Sequence, residues 1–257
     1  MPLPVALALS RGSILKAGVP NTDGTEPMPK LYGVYLDLYL RAVLDKDKAE
    51  AFSVINGFLK MNSDPAKAFG MIAAAQTEVG DLWASNAISV GDEHFATEVA
   101  LEAITVIASQ FRPARRDGAR TALVVGGVEG EFHHVGARMF AASLEIEGWR
   151  VDFLTNLSTK HLLDYAKGRK GKIDLVSLGV SLRLNLPALE TALADLRRLP
   201  ELRETVIIVG GSIFRDPRLK RRLIKAKGHG ALANCVCTTL DEGMKAAMRL
   251  TAGRLAV

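Results

Sequence analysis

Cysteine is nearly absent from this 257-residue chain, which contains only Cys235 and Cys237. Two cysteines cannot form the disulfide framework of a small secreted protein, so a reducing, cytoplasmic location is expected. Together with His229 the pair still lacks the second half of a zinc site, and we interpret it as part of a buried strand. Long apolar runs are also missing. Residues 3–9 are too short to span a bilayer and follow no basic residue, so neither a membrane anchor nor a signal peptide is expected.

Charge of one sign is only modestly in excess, because 33 Lys and Arg residues face 28 Asp and Glu residues. This balance is compatible with an acidic partner or nucleic acid and requires neither. The strongest basic cluster lies in and just before a predicted helix, 217–227; it comprises Arg215, Arg218, Lys220, Arg221, Arg222, Lys225 and Lys227. Two interpretations remain open: an ordinary solvated helix, or a surface that contacts DNA phosphates or an acidic face of a regulator.

The chain changes character several times. Residues 1–30 hold half of the ten prolines and show no regular apolar period, which predicts a flexible arm. Residues 31–112 have helical periodicity throughout, and their short connections predict a four-helix bundle. Residues 113–120 combine proline, glycine and arginine as a linker does. The remainder, 121–257, has a different pattern.

Capping residues mark the predicted helix starts within the bundle. Asp45 is expected to cap the second helix, and Asp64 precedes Pro65 at the start of the third. Ser89 or Asp92 is expected to open the fourth.

From residue 121 onward, buried strands alternate with helical segments. The predicted strands are TALVVGG, VDFL, IDLVSLGV, TVIIVGG and ALANCV. Such alternation predicts a parallel sheet covered by helices on both faces. Ligands of these sheets bind beyond the carboxyl ends of the strands, so the loops after the strands are where a site is expected.

The loop after the first strand, GGVEGEFHHVGARMF, carries the most informative residues. Its glycines permit close backbone approach, but it lacks the lysine and the Ser/Thr of a phosphate-binding P-loop. Glu131, His133 and Gly136 stand out instead. A neutral imidazole binds transition metals, and a nearby carboxylate can fix its tautomer through the other ring nitrogen. Taken alone, the pattern is also compatible with an ordinary surface histidine.

Glu131-x-His133-x-x-Gly136 resembles the Asp/Glu-x-His-x-x-Gly signature of cobalamin-binding domains. The resemblance implies a flavodoxin-like five-stranded parallel sheet, with His133 as the lower axial ligand of cobalt. Gly210 and Gly211 resemble the second glycine pair of that family, which lines the slot for the cobalamin tail. The family's Ser-x-Leu motif has no clean match, and Ser181 and Leu182 are the residues that can substitute for it.

The helical region resembles the cobalamin-capping bundle of light-sensing regulators of the CarH and LitR type. Trp83 is followed ten residues later by Glu93 and His94. The resemblance implies that the tryptophan covers the upper cobalt face, with the Glu–His pair beside the upper ligand. Taken alone, Trp83 could be a core residue, and Glu93 and His94 a solvated helix start. Ala84 stands where the CarH type has a histidine that ligates cobalt after photolysis.

Three functions are compatible with these residues. The first is a cobalamin-dependent, light-responsive antirepressor of the AerR/PpaA type, which acts through a DNA-binding repressor and binds adenosylcobalamin or hydroxocobalamin. DNA contact through the basic helix is a secondary expectation. The second is a corrinoid carrier of a methyltransferase system. The third is a protein-binding domain without cofactor, against which the intact His133 loop argues. No nucleophile–base pair is evident, so an enzyme is not expected.

Overall fold

A computed structural model describes residues 30–114, 118–224 and 232–252 of the chain. The predicted arm, 1–30, lies outside these ranges except for its last residue, as do residues 115–117 of the predicted linker and residues 225–231. The chain divides into two compact units, with the division between Ile107 and Ala108. Among the described residues, no helix is both long and apolar enough to cross a membrane.

The first unit is helical, as the sequence predicts. Its helices are α1 (Lys30–Leu44), α2 (Lys48–Met61), α3 (Pro65–Ala84) and α4 (Val90–Phe111). Helix α1 packs against α2 and α3, and α4 is tied to α3 by a hydrogen bond from Gln76 Nε2 to the carbonyl oxygen of Ala96, 2.9 Å long. Asp64 caps α3 by accepting from the N–H of Ala66, as expected from the Asp–Pro sequence.

The cap expected at Asp45 is wrong, because Asp47 caps α2. Asp45 belongs to the turn that closes α1, in which Lys46 adopts φ +60°. The N–H of Lys46 donates to Val43 O and that of Asp47 to Ala42 O, the two bonds of a Schellman ending. Asp47 therefore ends this turn and begins the next helix, where it accepts from the N–H of Glu50 at 2.9 Å.

Before α4, Ser89 and Asp92 share the cap between them. The N–H and hydroxyl of Ser89 donate to the Asp92 carboxylate, and the N–H of Asp92 donates back to the Ser89 hydroxyl. This reciprocal arrangement satisfies two exposed donors at once.

The second unit is a five-stranded parallel sheet in the order β2-β1-β3-β4-β5, which confirms the predicted flavodoxin-like fold. Its elements are β1 (Thr121–Val125), α5 (Val135–Ile146), β2 (Arg150–Leu154), α6 (Thr159–Gly168), β3 (Leu175–Gly179), α7 (Leu186–Arg198), β4 (Val206–Gly210), α8 (Pro217–Ile224), β5 (Cys235–Cys237) and α9 (Leu240–Thr251). Strand β5 is shorter than the predicted 231–236. Asn234 precedes it and exchanges two bonds with Ile207, one through its own side chain.

Both faces of the sheet are buried. In β1, Leu123 and Val125 belong to one apolar cluster while Ala122 and Val124 belong to another, because successive side chains point to opposite faces. Helices α6 and α7 contribute to the first cluster, whereas α5 and α9 contribute to the second. The apolar runs in the sequence therefore correspond to central strands of a doubly wound sheet.

The strand order predicts that a ligand site lies beyond the carboxyl ends of β1 and β3. From β1 the chain proceeds to β2 on one side and then to β3 on the other. The loops that follow β1 and β3 therefore leave the sheet in opposite directions, which opens a crevice beyond their carboxyl ends.

The buried hydroxyl of Tyr39 gives a stability prediction for the helical unit. The side chain is fully buried, and its oxygen has no hydrogen-bond partner in the described part of the chain. Because an unpaired buried hydroxyl costs about 1–3 kcal/mol, Tyr39→Phe should raise the free energy of unfolding by about 1 kcal/mol. Urea denaturation followed by circular dichroism measures the change.

Phe69→Ala is the control, since it removes a buried ring from the same unit and should lower the free energy of unfolding by about 3–5 kcal/mol. A clear loss of stability in Tyr39→Phe would show that the hydroxyl has a partner.

Candidate functional site

The loop between β1 and α5 folds back tightly onto itself. A Cβ atom at Gly127 would lie 2.3 Å from the carbonyl oxygen of Glu131, and one at Gly126 would lie 2.8 Å from the Cβ of His134. Real side chains do not tolerate such distances, so both positions require glycine. This close packing turns the side chain of Glu131 inward, where it is fully buried.

Five donors surround the Glu131 carboxylate. Oε1 accepts from the backbone N–H of His133 at 3.0 Å and lies 2.6 Å from Nδ1 of its ring. Oε2 accepts from the N–H groups of Ser181 and Leu182 at 2.7 and 3.1 Å, and from Nδ2 of Asn185 at 3.1 Å. Both oxygens are thereby saturated, and the loop after β1 is bonded to the segment after β3.

These bonds keep the carboxylate ionised despite its burial. Burial acts to raise the pKa of this group. The hydrogen bonds from Ser181, His133 and Asn185 outweigh burial, so the pKa of Glu131 lies below its ordinary value of 4.5. An ionised carboxylate has no proton to donate, so it can only accept a hydrogen bond from Nδ1 of His133. In the neutral imidazole the proton therefore lies on Nδ1.

His133 is consequently oriented for coordination. Its side chain is 59% exposed although its carboxylate partner is completely buried. With Nδ1 donating to Glu131, the lone pair of the neutral ring is on Nε2, and no described residue is bonded to that atom. A carboxylate–histidine pair of this kind is the usual support of a metal-ligating imidazole.

His134 lies next to this ligand candidate in a different environment. Its Nδ1 is 2.7 Å from the carbonyl oxygen of Phe132, and its ring packs near Phe153 with centroids 6.5 Å apart. It has no carboxylate partner among the described residues. The ring of His133 is held by a buried carboxylate, whereas that of His134 is held by a backbone carbonyl, and this difference favours His133 as the ligand.

Ser181 and Leu182, expected to touch a cofactor tail, contact Glu131 through their backbone N–H groups. Asn185 was missed from the sequence. Because it precedes Leu186 and Pro187, its sequence pattern is that of an ordinary helix cap. Its side chain makes no cap bond and instead donates to Glu131 and to the carbonyl oxygen of Gly130.

The glycines at this edge of the sheet fall into two groups. Gly179 and Gly211 are packed against backbone: a Cβ at Gly211 would lie 1.6 Å from the carbonyl oxygen of Val180, and φ there is +146°. In contrast, a Cβ at Gly136 or Gly210 would meet nothing within 4 Å. The fold requires the first group, whereas the second leaves space, at the start of α5 and at the end of β4.

The predicted site residues of the helical unit lie at the end of α3 and the start of α4. Trp83 is 49% exposed, so it is not a core residue. Glu93 accepts from Thr97 Oγ1 at 3.0 Å and lies 3.5 Å from Nε2 of His94. Thr97 in turn lies 3.4 Å from Gln76 Oε1 on α3. Glu93 is thus held by neighbours, while His94 is largely exposed.

The described part of the basic helix, α8, has much of its charge paired within the protein. Arg218 and Arg183 both bind Asp216 at 2.9 Å, and Arg222 binds Glu190. Lys225 and Lys227 lie outside the described residues. These ion pairs compensate part of the positive charge, although the Arg218 and Arg222 side chains remain 80% and 59% exposed. Arg221 is a third exposed arginine, at the centre of the helix.

Replacement of Glu131 by glutamine should destabilise the sheet unit. Glutamine keeps the shape but turns an NH2 group toward donors in either amide orientation, so Glu131→Gln should lose about 1–3 kcal/mol at neutral pH. Because the folded pKa of Glu131 is lowered, its stabilisation is fully present above pH 4.5 and is lost as the pH falls through the folded value. Urea denaturation across this pH range measures the difference.

The matched control is Glu129→Gln, an exposed glutamate in the same loop, which should change stability little at any pH. Equal effects of the two substitutions, or a Glu131→Gln effect that grows toward acid pH, would contradict the conclusion that Glu131 is ionised and stabilised by its five donors.

Comparison with known proteins identifies what these units are similar to. The family model of the B12 binding domain matches residues 35–108, which correspond to most of the helical unit. That match includes Trp83, Glu93 and His94.

Among solved structures, the monomethylamine corrinoid protein of Methanosarcina barkeri matches 84% of this chain and 98% of its own, with 15% identity and a TM-score of 0.67. A cobalamin-binding protein from Desulfitobacterium hafniense DCB-2 matches the same shares with 21% identity and a TM-score of 0.43. Because the second TM-score is below 0.5, only the first match informs the fold, and at 15% identity it informs the fold alone. The chain therefore has the fold of a corrinoid protein, and its helical region is similar to the B12 binding domain family.

Proposed function

We propose that this protein binds cobalamin with His133 as the lower axial ligand and acts as a light-responsive antirepressor through a DNA-binding repressor. The observation that carries the proposal is the Glu131–His133 pair, in which a buried, ionised carboxylate fixes the tautomer of an exposed imidazole. One fixed imidazole nitrogen suits a metal whose other positions are occupied by a macrocycle.

The remaining residues of this edge fit the same cofactor. Gly136 and Gly210 leave space where a Cβ would otherwise project, as a bulky ligand beside α5 and a tail near β4 require. Gly211, which packs against Val180, keeps the segment after β4 in place. When bound in its adenosyl form, cobalamin would supply a cobalt–carbon bond that is sensitive to light. The chain itself supplies binding and orientation, and we propose no catalysis by its own residues.

The helical unit supports a regulatory role through the residues that resemble those of light sensors. Trp83 presents a half-exposed indole whose apolar face suits an adenosyl group. Glu93 is held in place by Thr97, whereas the exposed His94 is accessible to the upper group. We propose that the state of this group alters binding to the repressor, and that Arg221 contributes to the repressor–DNA complex.

A corrinoid carrier is the second candidate. The reason to consider it is the fold shared with the Methanosarcina barkeri monomethylamine corrinoid protein, nearly all of whose chain is covered by the match. Such a carrier would bind cobalamin through the same His133, and its partner would be a methyltransferase. The two functions therefore differ in the upper group and in the partner.

Substitution of His133 tests the lower ligand. Loss of a residue that only supports a metal ligand typically weakens metal binding by about 10–100-fold. His133→Ala removes the ligand itself, so it should weaken binding of hydroxocobalamin by more than this. Any cobalamin still bound should show the absorption spectrum of the form ligated by its own nucleotide base. Spectrophotometric titration measures both quantities.

His134→Ala is the matched control and should leave affinity and spectrum nearly unchanged. If His133→Ala binds like the parent, the ligand assignment is wrong; if His134→Ala has the larger effect, the neighbouring histidine is the ligand.

Illumination separates the two functions. Protein loaded with adenosylcobalamin in the dark should change its spectrum in light, retain cobalt and change its binding to the repressor.

Trp83→Ala should reduce the preference for adenosylcobalamin over methylcobalamin, with a stability change below about 1 kcal/mol because the indole is half exposed.

Met61→Ala, which removes another exposed apolar side chain from the helical unit, is the control and should alter neither property. If the loaded protein does not respond to light, and the reduced protein accepts a methyl group from a methyl donor, the corrinoid carrier is the correct function and the light-responsive antirepressor is wrong.

A further inference from the structure

The only two cysteines of the chain face each other on strand β5. Cys235 and Cys237 are two residues apart in an extended strand, so their side chains point to the same face. Their sulfur atoms lie 3.5 Å apart and both are free thiols. Neither belongs to the Glu131–His133 site described above.

The two thiols differ in a way that suits a reacting pair. Cys235 is partly exposed, whereas Cys237 is 4% exposed. The hydrogen bond with Cys237 lowers the pKa of Cys235 to about 6, and the charges of Lys220 and Arg249 act in the same direction. The same contact, with burial, raises the pKa of Cys237. The accessible sulfur of Cys235 is thus the more acidic of the two and the better nucleophile.

We propose that Cys235 and Cys237 form a reversible oxidation site, at which a peroxide converts the dithiol into an intrachain disulfide. The Cys235 thiolate attacks the O–O bond of hydrogen peroxide, which gives a sulfenic acid and, after proton uptake, water. The Cys237 sulfur then attacks the Cys235 sulfur, the S–O bond breaks, and the hydroxyl leaves as a second water with the thiol proton. Two thiols are oxidised by two electrons and one peroxide is reduced.

The disulfide should strain the edge of the sheet. Residues two apart in a strand have Cα atoms roughly 6.4–6.8 Å apart, at the upper end of the range of about 4.4–6.8 Å that disulfides accept. Closing the bond therefore favours a locally contracted β5. This strand pairs with β4, where Cys237 is opposite Gly210. Oxidation should therefore disturb the backbone at a predicted tail-slot residue and weaken cobalamin binding; this consequence alone rests on the proposed function.

Mass spectrometry of the intact, cobalamin-free chain tests the oxidation directly. After hydrogen peroxide and then N-ethylmaleimide, the protein should carry no maleimide and weigh two hydrogens less than the reduced chain. Maleimide is added in urea, which exposes the buried Cys237, and prior reduction with dithiothreitol should restore reaction with two maleimides. Because there are no other cysteines in the chain, the number of bound maleimides reports this pair alone, and any methionine sulfoxide is recognised separately by its added oxygen mass.

Single substitutions establish the roles of the two sulfurs. In Cys237→Ala, peroxide should leave a sulfenic acid on Cys235 that dimedone traps, and the parent should show at least tenfold less of this adduct. In Cys235→Ala, the buried Cys237 should react at least tenfold more slowly. Disulfides that link two chains, or equal rates for both single variants, would overturn the proposal. Amide exchange that increases in β5 and at Gly210 on oxidation would support the strained edge, whatever the chain binds.

Discussion

The buried carboxylate of Glu131 is the constraint on which the candidate site depends. A fully buried charge is tolerated only when its oxygens are saturated by donors. Here His133 donates from the same loop, and the other donors come from the segment after β3, which is 50 residues or more away in sequence. The carboxylate therefore links the ends of β1 and β3 and sets the tautomer of His133 by the same contacts. Stability and ligand orientation have a common physical origin at this point.

The topology explains why this link occurs where it does. Strands β1 and β3 are neighbours in the sheet although β2 lies between them in sequence, and their carboxyl ends flank the crevice of a doubly wound fold. Glycines at the strand ends let the two loops approach, while other glycines leave space beside them. The sheet thus provides a rigid support, and the loops provide one imidazole nitrogen facing outward.

Much of this arrangement could be predicted from the sequence, and the remainder could not for identifiable reasons. Apolar runs and helical periods indicated the parallel sheet, and the spacing of Glu131 and His133 indicated the carboxylate–imidazole pair. Asn185 was missed because an asparagine before a helix is typical of a cap, and only the folded loop reveals its bond to Glu131. The cap at Asp47 depends on how α1 ends, and the charge pairing of α8 depends on acids such as Glu190 on another helix.

The most direct test of the central claim is whether a protein histidine nitrogen coordinates cobalt. Electron paramagnetic resonance of the cob(II)alamin-bound protein, prepared with and without ¹⁵N-labelled histidine, measures the splitting caused by the axial nitrogen. If His133 is the ligand, labelling should convert a triplet splitting into a doublet, and the effect should be absent in His133→Ala. A triplet that persists in the labelled parent would show that cobalt keeps its own base and that Glu131 orients His133 for another purpose.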